Sequence, residues 1–193
     1  ITLPSHLFLY CDSLVVPVGV TLSTETFVST DYTVINGTLV LNTCFLHARK
    51  LLTINGTVRV PGFGGVSILS TTDFSGRENI IGEQYIINYL YDGISSIEEL
   101  ENVLAEVEGR ADPFFNYQIN LTTSDLSTPF TLSKSLVVPE NVILDTQEYP
   151  MILSSGCTLT INGGAFFNDI TINGILQNNN YVRFYGSASF RSD

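Results

Sequence analysis

Asp145, Glu148, Asp169 and Arg183 are the late side chains whose types could do chemistry together. Asp145 and Glu148 lie near one turn, Asp169 follows further on, and Arg183 supplies a nearby cation. Calcium would need several oxygen ligands converging, so these residues form a site only if the fold gathers them on one face. Earlier in the chain the corresponding candidates are Glu25, Asp31, Arg49, Lys50 and Arg59. His6 and His47 stand alone, in neither a nucleophile-triad spacing nor a metal-ligand spacing. Gly62-Phe63-Gly64-Gly65 is followed by neither a Lys nor a helix signal, so it reads as a turn and not as a phosphate loop. No metal site and no catalytic set is expected, and calcium enters only with an enzymatic reading.

Tyr85, Tyr89 and Tyr91 fall on one side of an alternating stretch. On an extended strand they would make a flat platform, and aromatic faces stack well on sugar rings. They are the expected ligand-binding residues. The competing use of the same rings is packing under a neighbouring unit.

The elements that must position these groups are written in a repeat. Leu14-Val15-Val16-Pro17 returns as Leu136-Val137-Val138-Pro139, followed by Val20 and Leu22 in one copy and by Val142 and Leu144 in the other. Each copy then reaches a pair of Ile-Asn-Gly triplets, at Ile35 and Ile54, then at Ile161 and Ile172. Such self-similarity predicts a fold built from copies of one small β unit. Short apolar, β-branched runs bounded by turn residues predict strands at 33–35, 38–41, 52–54, 58–60, 117–121 and 130–132, with a polar loop over 70–77. Asn-Gly alone would predict antiparallel hairpins and a sandwich. The close spacing of the runs favours a coiled β-solenoid instead, as does Gln177-Asn178-Asn179-Asn180, because turn asparagines can stack between coils as ladders.

One segment is helical. Ser96 and Glu99 form a capping box, and Ile97, Leu100, Val103, Leu104 and Val107 form an apolar stripe at helical spacing. Gly109 suits the position just past the helix end. Burying such side chains is worth roughly 1.5–3 kcal/mol each, so the helix must lie on something apolar. Two tandem units are expected, 1–93 and 94–193, the second opened by the helix at 96–108.

The chain carries 19 acidic and 8 basic residues, a net charge of −11. That sign repels phosphate backbones and anionic bilayers, so neither nucleic acid nor membrane insertion is expected, and no apolar run approaches the ~18 residues of a membrane span. The three cysteines match no zinc pattern and read as small buried hydrophobes, with a Cys11–Cys44 bridge as the alternative. Ile1 opens inside a strand-like stretch with no initiator Met, so the chain reads as a segment of a longer precursor.

The stretch from Ser95 to Gly163 resembles the opening of right-handed parallel β-helix proteins of the pectin-lyase-like superfamily. There a short amphipathic helix caps the first coil, a strand follows, then an apolar phrase, then coils marked by apolar pairs. Here the matching elements are Ser96 to Glu108, Tyr117 to Leu121, Phe130 to Pro139, and Val142 onward. The resemblance implies an all-β, right-handed parallel β-helix with one capping helix, and carries no activity with it. Enzymes of that fold usually work through clustered carboxylates with calcium or a nearby Arg or Lys. This chain has no Asp-Asp pair and no Gly-His-Gly triplet. The expected function is therefore a non-catalytic structural or adhesive module of a larger secreted or cell-surface protein. Its partners would be neighbouring domains of the same polypeptide and a polysaccharide or cell-surface glycan. The alternatives are a carbohydrate-active lyase or hydrolase, using Asp145, Glu148, Asp169 and Arg183, and a phage or virus fibre subunit.

Overall fold

A computed structural model describes residues 1–3, 8–82, 85–108 and 115–191; His6, Gly109 and the side chain of Tyr85 lie outside the description. Strands make up 57% of the described residues and every sheet among them is parallel, with about nine solenoid turns in the two units together. The units are Ile1–Tyr89 and Leu90–Asp193.

In the first unit one sheet orders Phe8–Val16, Phe27–Ile35, Phe45–Ile54 and Gly64–Leu69. A second sheet orders Thr21–Thr24, Thr38–Leu41, Thr57–Arg59 and Ile80–Ile81. The register keeps like on like: Val16 faces Ile35, and Ile35 faces Ile54. Leu22 faces Leu39, which faces Val58. These columns run up the interior, and Ile35, Leu39, Ile54 and Val58 are fully buried. Branched aliphatic side chains suit a pleated surface, and stacking them by coil closes a core that no single coil could bury. The long strands change direction within themselves: the pairing of Phe27–Ile35 with Phe45–Ile54 shifts register between Thr30 and Tyr32, as a bulge does. The expected loop at 70–77 contains a short strand, Asp73–Ser75, paired with Leu51–Thr53.

The second unit has three sheets. One runs Phe115–Leu121, Val142–Asp145, Gly164–Phe167 and Tyr181–Phe184; one runs Phe130–Leu132, Met151–Leu153, Ile170–Ile172 and Ala188–Phe190; the third runs Leu136–Val138, Thr158–Ile161 and Ile175–Asn178.

The two Leu-Val-Val-Pro copies fold alike. Val20 N donates to Pro17 O at 3.1 Å, and Val142 N donates to Pro139 O at 3.1 Å. A Cβ on Gly37 would sit 2.2 Å from Pro17 O and 2.3 Å from Val20 O; on Gly163 it would sit 2.3 Å from Pro139 O and 2.1 Å from Val142 O. None of the triplet glycines has a left-handed φ. They are glycines because the previous coil's carbonyls press on them, whereas a type I′ hairpin would need positive φ. The triplets are not equivalent throughout, however. Asn55 stacks directly on Asn36, one coil of 19 residues away. Gly174 packs instead against Ser154 O and Cys157 O, at a different corner from Gly163.

The helix spans Ile97–Glu108. Ser96 and Glu99 form the expected box, with Glu99 N donating to Ser96 Oγ at 3.2 Å and Ser96 N donating to Glu99 Oε2 at 3.2 Å. Leu100, Val103, Leu104 and Val107 are buried, while Ile97 is half-buried. Glu101 pairs with Lys134 at 2.8 Å, fixing the helix beside the first coil of its unit. The cap is partial. The strand ending at Ile94 already lies in the same sheet as Phe115–Leu121, and Thr122 N donates to Ile94 O at 2.8 Å. The helix therefore takes up the remaining path of that coil.

All three cysteines are free: Cys44 and Cys157 are buried, and Cys11 is half-exposed.

Candidate functional site

Asp145 ends its strand pointing away from the core. Its carboxylate accepts from Gln147 N at 2.7 Å and from Gln118 Nε2 at 3.3 Å. Gln118 Nε2 also donates to Asn120 Oδ1 at 2.9 Å, and Asn120 Nδ2 donates to Asp92 Oδ1 at 3.2 Å. Asp145 is thus one end of an amide–carboxylate chain laid across successive strands. Asp169 is spent elsewhere, accepting from Ser187 N at 2.6 Å. It rims a shallow groove of about 390 Å³ with Pro129, Pro150 and Ser187, and none of Asp145, Glu148 or Arg183 lines that groove. Glu148 is exposed in a turn.

Arg183 shares a column with Asp145, but Phe166 stands between them. Two strand spacings put them about 9–10 Å apart. The guanidinium of Arg183 lies instead over the Tyr185 ring, 4.8 Å from its centroid. The fold therefore does not gather the four residues. Among the described residues there is no group of three His, Cys, Asp or Glu able to hold a metal ion. Likewise among them, no helix is long and apolar enough to cross a membrane.

Of the tyrosines, Tyr91 is 5% exposed and its ring lies 6.4 Å from that of Tyr117, itself buried in the second unit. Tyr89 is half-buried. Ile87, on the same side of the strand as Tyr89 and Tyr91, is fully buried.

A different aromatic row lies on the outside of the first unit. Phe8 pairs with Phe27 in register, and their rings are 5.7 Å apart. Phe27 stacks on His47 at 6.5 Å and 19°. Phe45 precedes Leu46, the partner of Val28, which sets it beside Phe27. Its ring meets that of Phe63 at 5.8 Å and 76°. Phe8 is 73% exposed, Tyr10 69% and Phe63 60%. Burial and the nearby Arg49 hold the His47 imidazole below its usual range, so it is neutral at pH 7. Next to the row, Asp31 binds both Arg49 and Lys50 at 2.7 Å.

The signal for this row was present in the sequence. Phe8, Phe27 and Phe45 recur at the coil interval, a period too long to see within any one strand, while Phe63 falls two residues before Gly65, the register partner of Phe45.

No family model, no curated protein and no solved structure matches the chain.

Proposed function

We propose that this chain is a non-catalytic structural module of a larger secreted or cell-surface protein, a stiff solenoid segment of the pectin-lyase-like type that presents an adhesive surface. One observation carries the reading: the carboxylates best placed for chemistry are committed to separate backbone and amide partners. Asp145 is tied to Gln147 N and Gln118, and Asp169 to Ser187 N. A lyase or hydrolase needs such groups converging on one substrate atom. A repeat-built solenoid needs no such convergence, because its work is to hold a surface at a fixed distance and spacing.

The test is turnover. The protein is incubated with polygalacturonate and with neutral polysaccharides, with and without calcium, and unsaturated products and new reducing ends are measured. Neither rises above the buffer control. Cleavage by the wild type that disappears in Asp145→Asn or Asp169→Asn overturns the reading.

A further inference from the structure

The outer row of Phe8, Phe27, Phe45 and Phe63 is the least expected feature of the first unit. Interior aromatic rings would need no explanation. These face outward, and the two most exposed of them leave most of their surface in water. Contiguous exposed apolar surface on a folded chain marks an interaction site.

Its geometry limits the partner. Phe8, Phe27 and Phe45 follow the coil axis at the inter-strand spacing, about 4.8 Å per coil, and the Phe63 ring extends the row from just before the strand that pairs with Phe45, so the row is one ring wide. Stable protein–protein contacts take about 20–30 residues a side, and a strip this narrow falls well short of that. A single extended polymer would fill it.

Its charge limits the partner further. The rings share the face with Tyr10, Ser29, His47 and Ser67, aligned in the adjoining column. The charges flanking the row are Asp12, Glu25, Asp31, Arg49 and Lys50, which sum to −1. On a chain of net charge −11 the row is an uncharged strip, with no surplus cation to hold a polyanion against the repulsion of the rest. Ser29 is buried, but the exposed Tyr10 and the half-buried His47 and Ser67 offer hydrogen bonds beside flat apolar faces, which is the combination a sugar ring presents in complement.

We infer that the Phe8–Phe27–Phe45–Phe63 row is a binding site for a neutral glycan chain lying along the coil axis, its sugar faces stacked on the rings. The inference rests on the non-catalytic reading above and gives its adhesive surface a location.

Native gels cast with a soluble β-glucan, an arabinoxylan, a mannan or polygalacturonate test it. The wild type is retarded by at least one neutral polymer and not by polygalacturonate. Phe8→Ala and Phe63→Ala replace exposed rings that the fold does not need, and each weakens retention by roughly three- to tenfold. Tyr185→Ala, in the second unit, retains the wild-type mobility. No retardation by any neutral polymer overturns the inference and leaves the structural module standing. Retardation by polygalacturonate alone overturns the ligand class. Sedimentation of a dimer that Phe8→Ala dissociates assigns the row to a second copy and overturns it as well. Cleavage of the polymer in the gel contradicts the non-catalytic reading instead, so the two failures are distinct.

Discussion

Asn55 donates from Nδ2 to Oδ1 of Asn36 at 2.9 Å, and the pair is repeated in the second unit, where Asn179 donates to Asn162 at 2.8 Å over 17 residues. Each bond joins the same corner of two successive coils. Glycine follows Asn36, Asn55 and Asn162, whereas Asn180 follows Asn179; where it is present it lets the corner close, and a Cβ on Gly56 would lie 2.0 Å from Gly37 O, a backbone atom that cannot swing aside.

Side-chain bond and backbone fit should therefore differ in weight. Asn55→Ala removes one exposed amide bond and costs about 0.5–1.5 kcal/mol. Gly56→Ala forces two coils apart and costs about 1–3 kcal/mol or more. Gly156→Ala meets nothing within 4 Å and suffers only from its φ of 76°, about 1–2 kcal/mol. Urea midpoints for the three variants give the order. If Gly56→Ala proves no worse than Asn55→Ala, the corner has slack that the geometry denies.

The corners were legible because a corner is local. Asn, Gly and Pro constrain the backbone within a few residues, so Leu-Val-Val-Pro announces itself twice and Ile-Asn-Gly four times. The helix was legible for the same reason, through Ser96, Glu99 and the stripe from Leu100 to Val107. The bend inside Phe27–Ile35 was not, because it is made by a register shift and no turn residue marks it. Asp73–Ser75 reads as loop in the sequence because its strand character comes from its partner, Leu51–Thr53. The side a tyrosine faces was equally hidden. Alternation placed Tyr89 and Tyr91 together, but only the neighbouring strand decides whether that side is core, and Tyr117 makes it core for Tyr91. Asp145 and Asp169 looked alike in sequence, and backbone donors in different corners separate them.

The helix cap predicts a pH dependence. Glu99 accepts from Ser95 N at 2.8 Å and from Ser96 N at 3.2 Å, and the Ser95 bonds are the main reason its carboxyl sits below the ordinary 4.5. A pKa depressed by folding gives stabilisation that is fully present above the unfolded value and lost as pH falls through the folded one. The difference in urea midpoint between wild type and Glu99→Gln should be constant at neutral pH and shrink in acid, below about pH 4.5. A difference that grows in acid would mean that the carboxylate opposes the fold.

The thiols should divide by burial. Cys44 is 6% exposed, donates to Thr24 O at 3.3 Å, and is pushed up to about 11, chiefly by burial. Cys157 is 8% exposed. The thiolate is the reactive form, so neither should react with an aromatic disulfide reagent at neutral pH while the protein is folded. Cys11 is half-exposed, and burial and Asp12 raise its pKa as well, so it should react slowly. Titration should find one thiol in the native protein and three after denaturation. Three rapid thiols in the native state would mean that the coils around Cys44 and Cys157 open readily.

Inside the first unit, the hydroxyls of Thr30 and Thr33 bond to each other, and both residues are fully buried. They sit on either side of the register shift where Phe27–Ile35 changes direction, among aliphatic columns that offer water no access. A hydroxyl left alone there loses its partner and cannot recover it from solvent, which costs about 1–3 kcal/mol. Valine is close to threonine in shape, so Thr33→Val keeps the packing while stranding the Thr30 hydroxyl, and Thr30→Val strands the other. Replacing both removes the donor and the acceptor together and should cost much less than the two single changes combined. The coupling in such a double-mutant cycle should reach about 1–3 kcal/mol. Strict additivity would mean that each hydroxyl is satisfied separately and that the pair does not hold the bend.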